Sequence, residues 1–315
     1  MSARSSTKQF PLPRAGWRRF KANRGALASA ILLAILATAS LAVPLLARAT
    51  GQNAATVDLY HRLAGPSFGH LLGTDELGRD LLLRLLDGGR ISLIVGLAGA
   101  LAAALLGTAI GLLAGYRGGV TDAVLMRITD GVIALPLLPL LIVLAAADLR
   151  KLGVPTDLAQ SEAASLYRII ILVALVGWTT VARLVRGATL SLRTRDFVRA
   201  AIALGASPAR VMAVHILPNL AAPIIVATAL SISSVILLES VLSFLGLGIA
   251  PPLASWGAML SGAQETITIA PLLAFYPGLL IFLTVAACNL LGEGLQDALD
   301  PRGAGAHASR QPGAE

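Results

Sequence analysis

Six long apolar stretches dominate this chain: Ala26–Ala47, Ile91–Tyr116, Ala123–Ala147, Ile169–Val185, Leu220–Leu245 and Pro271–Leu291. About twenty such residues, wound as a helix, cross the roughly 30 Å hydrocarbon core of a bilayer. One soluble core cannot cover six of them, and inside lipid only helices and closed barrels satisfy their own backbone. Charged residues make up only 13% of the sequence, against about 25% in soluble domains, and the mean hydropathy is +0.78. The 31 glycines are spread through the apolar stretches, as is common where membrane helices pack closely. The expectation is an all-α, polytopic membrane protein with about six transmembrane helices.

Charge placement predicts its orientation. Arg4, Lys8, Arg14, Arg18, Arg19, Lys21 and Arg24 precede the first stretch with no acidic residue among them, the positive-inside pattern of a cytoplasmic end. The connector between the fourth and fifth stretches carries Arg183, Arg186, Arg193, Arg195, Arg199 and Arg210 against Asp196 alone, whereas the next connector has only Glu265. The predicted layout is a basic cytoplasmic tail over 1–25, a first helix over 26–47 and an extracytoplasmic segment over 48–90. A five-helix core over 91–293, with a cytoplasmic loop at 186–218, and a cytoplasmic tail over 294–315 complete it. The first stretch reads as a retained anchor, because about 22 apolar residues exceed the 7–15 of a signal peptide. The polar ends, roughly 1–20 and 303–315, read as disordered, and one amphipathic helix is expected on the membrane surface around Asp80–Leu86. The net charge of +8 comes with no basic patch interleaved with aromatics, so a nucleic-acid role is disfavoured. The single Cys288, in an apolar run, offers neither a disulfide nor a cysteine metal site.

The segment Phe197–Asn219 (FVRAAIALGASPARVMAVHILPN) is too polar and too interrupted to span. Ala200 and Ala201 favour helix, Gly205 ends or bends it, and Ser207-Pro208 suits a restart with an N-cap and a first-turn proline. Local physics alone fits an ordinary helix–turn–helix connector equally well. The spacing of Ala200, Ala201, Gly205, Leu217 and Pro218 nevertheless resembles the EAA loop of ABC importer permeases, EAA-x3-G-x9-I-x-LP, with Arg199 at the usual glutamate and His215 at the usual isoleucine. Leu72–Asp80 (LGTDELGRD) followed by Gly89–Leu93, then Leu242–Gly248 (LSFLGLG), then Asn289–Gly292 with Asp297–Arg302 (DALDPR), resemble in order the C-type subunit of dipeptide, oligopeptide and nickel permeases.

That resemblance implies a type I ABC importer transmembrane domain in a bacterial inner membrane. It implies a homologous B-type permease partner, two ATPase subunits and an extracytoplasmic binding protein. The loop Arg199, Ala200, Ala201, Gly205, Ala206, Ser207, Pro208, Leu217 and Pro218 becomes the ATPase-coupling loop. ATP and Mg would sit on the partner ATPases, with no cofactor held by this chain. The sequence has no GxxxxGK[ST] phosphate loop and no HExxH, so no enzymatic site is expected. An ion-coupled secondary transporter is the alternative, although no inverted repeat is visible.

Several intramembrane residues invite separate readings. Gly107, Gly111 and Gly115 form a small-xxx-small stripe, extended by Ala103, and are expected to seat a neighbouring helix rather than face lipid. Pro136, Pro139 and Pro277 should bend their helices. Arg127 and Asp130, three apart, are expected to pair. Glu239, close to Ser240 and Ser243, is a candidate for a polar pathway or a subunit contact. Asp75, Glu76 and Asp80 read as turn chemistry rather than a metal site, with Arg79 pairing locally to Asp75 or Asp80.

Overall fold

The computed structural model describes residues 13–147, 150–151, 155–159, 161 and 163–299. Tail residues Arg4 and Lys8, and the end of the DALDPR stretch, lie outside them. Helices α1 (Pro13–Ala22), α2 (Arg24–Leu41) and α3 (Val43–Thr50) precede a largely irregular segment over 51–80. Then come α4 (Leu81–Arg117), α5 (Gly119–Ala134), α6 (Leu137–Ala146), α7 (Thr156–Ala159) and α8 (Ala164–Leu192). The chain continues through α9 (Asp196–Ala203), α10 (Pro208–Arg210), α11 (Leu217–Phe244), α12 (Trp256–Ala263) and α13 (Leu272–Leu299). Among the described residues five helices are long and apolar enough to cross a membrane, and the bent pair α5–α6 would be a sixth span.

Helix α4 is the central post. Its N-terminal half meets α11: a Cβ at Gly96 would stand 2.6 Å from Ile236 Cγ1, and one at Gly99 3.0 Å from Val235 Cγ1. Its C-terminal half lies against α8. Small residues on α4 let both backbones approach where no hydrophobic effect drives helices together. Val95, Ala100, Ile169, Val173 and Leu242 fill the junction.

Several boundaries correct the sequence expectations. The residues around Asp80–Leu86 are no separate surface helix but the first turns of α4, with Leu81, Leu83 and Leu85 buried. The expected third span breaks at Leu135-Pro136 with an 87° bend, because the proline ring disfavours helical backbone at the residue before it. Residues 13–20, expected to be disordered, belong to α1, which docks on α13. A Cβ on Gly16 would lie 3.3 Å from the Ala298 carbonyl oxygen. The first span divides at Ala42, with Pro44 in the first turn of α3.

The segment before α4 is organised around Asp75, whose side chain is buried. Its Oδ1 accepts from the backbone of Leu77 (2.9 Å) and Arg79 (2.9 Å), and its Oδ2 from Arg79 Nε at 2.7 Å. Arg84 Nε adds a pair at 3.1 Å. Asp80 caps α4 through Leu83 N at 2.8 Å. Gly78 has φ +73 and lies against the Asp58 carbonyl, where no side chain fits. This is the turn and capping chemistry expected from LGTDELGRD.

Candidate functional site

The loop after α8 is held at its base by arginines. Arg193 Nη1 donates to the Gly115 carbonyl at 3.0 Å, placing a cation on the carbonyl end of α4, where the helix dipole favours it. Arg186 Nη2 donates to Asp122 Oδ2 at 2.6 Å, with its Nε on the other oxygen, so the fork locks α8 to α5. Asp130 accepts from Arg183 Nη2 at 2.6 Å. Its partner is therefore on α8, not Arg127 three residues earlier on its own helix, as the spacing had suggested. Both members of that pair are about half exposed (50% and 52%), so it orients α5 and α8 more than it stabilises them.

Beyond this base the chain forms a short helical turn. Val198 and Ala201 of α9 are buried, Val198 packing with Val211, Ile216 and Leu220, while Arg199 and Ala200 face outward. Gly205 closes α9 with φ +84 and nothing within 4 Å of where a Cβ would stand. Ser207 then caps the next turn, its Oγ accepting from Arg210 N at 3.4 Å, with Pro208 at the first position. Ala206 is half-buried beneath the turn. The turns over Val211–Ile216 are π-helical and run into α11, where Leu217 and Pro218 sit in the first turn. Pro218 lacks an N–H and its ring would strike the carbonyl four residues back in a regular helix. Widening the preceding turns relieves that clash.

The tip also carries residues that spacing did not single out. Phe197 (45% exposed), Ile202 (49%) and Leu204 (89%) stand clear around Gly205, an apolar patch of the kind that marks an interaction surface. The signal was present in the sequence. An eight-residue helix reading DFVRAAIA holds more apolar side chains than one buried face requires.

The glycine stripe faces α8 throughout. A Cβ at Gly107 would stand 2.5 Å from the Trp178 carbonyl oxygen and 2.7 Å from Val181 Cβ, and one at Gly115 2.7 Å from Thr189 Cβ. Ala103 meets Gly177 at the same seam.

Glu239 is fully buried. Its carboxylate accepts from Ser92 Oγ at 3.2 Å and Ser243 Oγ at 2.7 Å, so it has no surface to offer a pathway or a second subunit in this conformation. An open apolar groove of about 1400 Å³ runs alongside instead, lined by Ala103, Leu135, Thr180, Ser231, Ser234 and Val241 among others. Among the described residues no group of three or more His, Cys, Asp or Glu converges to hold a metal.

Comparison with known proteins follows this geometry. Residues 107–304 match the family described as binding-protein-dependent transport system inner membrane component, and residues 13–66 match the N-terminal TM domain of oligopeptide transport permease C. The chain is 36% identical over 297 residues to the oligopeptide transport system permease protein OppC of Bacillus subtilis, covering 94% of this chain and 92% of that protein. It is 39% identical to the glutathione transport system permease protein GsiD of Pectobacterium atrosepticum, covering 91% and 90%. It is also 39% identical to the di/tripeptide transport system permease protein DppC of Pseudomonas aeruginosa, covering 91% of each.

Proposed function

The chain belongs to the family of binding-protein-dependent transport system inner membrane components, and from that membership we propose that it is the C-type permease of an ATP-driven ABC importer for short peptides. It forms the translocation pore with a homologous B-type permease in the bacterial inner membrane. An extracytoplasmic binding protein delivers the substrate, and two ATPase subunits hold ATP and Mg on the cytoplasmic side, where both termini of this chain also lie. The chain itself carries no ATPase site. The groove beside α11 is its share of the pathway or of the contact with the second permease.

The observation that carries the coupling role is the exposed apolar tip Phe197, Ile202 and Leu204 on a base tied by Arg186 and Arg193 to α5 and α4. A surface that an ATPase groove covers needs apolar contact at its tip and a stiff connection to the pore helices. When the ATPases close, motion at α9–α10 passes through the arginine-anchored base into α4, α8 and α11.

Proteoliposomes holding the chain, its permease partner and the ATPases, supplied with binding protein, test the reading. Labelled di- and tripeptides should accumulate only when ATP is present on the ATPase side. Accumulation driven by an ion gradient without ATP would instead establish a secondary transporter.

A further inference from the structure

Beyond the break of the first span at Ala42, α3 packs beside the start of α4. Between them is a cavity of about 510 Å³, bounded further by Asn53 and Pro252. Helical spacing builds both walls. Pro44, Ala47 and Arg48 of α3, three and four residues apart, line the cavity, whereas Leu45 and Leu46 of the same helix stay exposed. Arg84, Asp87 and Arg90 line it from one face of α4, at intervals of three.

The charges around this cavity do not cancel. Arg84 is committed to Asp75, with its Nε 3.1 Å from the carboxylate. Arg48 and Arg90 have no hydrogen-bond or ion-pair partner among the described residues, and Asp87 pairs with neither. Two arginines therefore face one carboxylate, a surplus of one positive charge. Asn53 adds a further donor: its Oδ1 accepts from Ala55 N at 3.3 Å, which leaves its amide N–H groups unpartnered. A single arginine at a membrane boundary simply reaches for water. Here two of them, on different helices, converge on one void with donors and no acceptor, which calls for an anion with several oxygens.

We propose that this cavity binds the phosphodiester of one phospholipid headgroup, with Arg48 and Arg90 holding its oxygens from opposite walls. A guanidinium fork matches phosphate oxygens in pairs, and a phosphodiester carries the single negative charge that the surplus requires. A lipid fits better than free phosphate because the cavity borders apolar surface: Leu41 at the end of α2 and Leu45 and Leu46 of α3 are exposed beside it, where acyl chains can lie. Its volume of about 510 Å³ is also that of a small-molecule site, about 300–1,000 Å³, and more than a bare phosphate fills. The bound lipid ties the broken end of the first span to α4. The inference is independent of the peptide-import reading.

The assembled complex, delipidated in detergent and titrated with dioctanoyl phosphatidylglycerol, tests this by its melting temperature. The lipid should raise it by about 2–4 °C and saturate, as binding to the folded state alone requires. Dioctanoylglycerol, which keeps the chains and lacks the phosphate, should not, and neither should inorganic phosphate. Arg48→Gln and Arg90→Gln alter exposed side chains, so both should assemble, and each should raise the lipid concentration at the midpoint by about tenfold. Arg62→Gln, at an exposed arginine of segment 51–80 outside the cavity, should leave the midpoint where it is. If one arginine variant fails to assemble, the other decides. A wild type that does not respond, or arginine variants that respond as the wild type does, overturns the site. An equal rise with dioctanoylglycerol overturns phosphate recognition, and an equal rise with inorganic phosphate overturns the lipid as the occupant.

Discussion

Gly111 of α4 lies directly against the carbonyl oxygen of Ala182 in α8, with Val185 Cβ 2.9 Å from where its own Cβ would be. The two backbones touch at this point, and the seam from Gly107 to Gly115 sets the distance between the two helices. The arginine anchors of the loop sit at the end of the same seam, since Arg193 reaches the carbonyl of Gly115. Closeness of α4 and α8 is thus a condition for the loop geometry.

Gly111→Leu should therefore prevent the seam from closing, at a cost of about 3 kcal/mol or more, because overpacking at a backbone contact cannot be relieved by a rotamer change. The same substitution at exposed Ala109 of α4 should leave assembly intact. Size-exclusion chromatography of the detergent-solubilised complex separates the two. Equal assembly would mean that the helices part without consequence.

Asp75 should be a second stability determinant, on the other side of the membrane. Its carboxylate is 4% exposed and serves Arg79 and Arg84, themselves 13% and 12% exposed. Removing it takes away the carboxylate that Arg84 pairs with and leaves Arg79 with Glu76 alone, so Asp75→Ala should cost about 3 kcal/mol. The measurement is proteolysis of segment 51–80 in intact proteoliposomes, which should become much faster. An unchanged cleavage rate would show that the two arginines find other partners.

The membrane helices were legible because their signal is additive: long apolar runs need no knowledge of contacts. The seam glycines and the Ser207-Pro208 cap were legible too, since small residues four apart and a capping residue before proline have local meanings. What escaped were relationships between distant segments. Arg183 lies 53 residues from Asp130, so spacing along one helix suggested Arg127 instead. Ser92 and Ser255 meet Glu239 only once α4 and α12 are in place. The 87° break between α5 and α6 was hinted at by Pro136, but its size depends on what packs around it.

Topology can be read with cysteine labelling in a Cys288→Ala background. Phe68 and Tyr60 are fully exposed on the segment before α4, whereas Thr74 is buried, so the first two are the useful positions. Phe68→Cys in intact cells or spheroplasts should react with a membrane-impermeant maleimide. Leu204→Cys, at the loop tip, should react only after permeabilisation. The reverse pattern would invert the chain and remove the ATPase contact from the proposed loop.

The functional claim rests most heavily on that tip. Gly205 adopts φ +84, a conformation in which an L side chain is strained, and the space around it is open. A residue such as glutamate therefore costs about 1 kcal/mol of local backbone strain, too little to unfold a membrane domain held elsewhere. Leu204, 89% exposed, contributes almost nothing to this chain's own core, so Leu204→Asp should leave insertion and abundance unchanged. Both variants nevertheless alter the surface proposed to enter an ATPase groove, one by bulk and one by charge. Peptide uptake and binding-protein-stimulated ATP hydrolysis should fall together, by tenfold or more if about 1.4 kcal/mol of coupling contact is lost. Arg199→Ala should be milder, because that side chain faces outward with no partner identified among the described residues and replaces the acid usual at its position. If Leu204→Asp and Gly205→Glu both retained normal stimulated hydrolysis and uptake, the loop would be only a connector, and coupling would have to pass through another cytoplasmic surface.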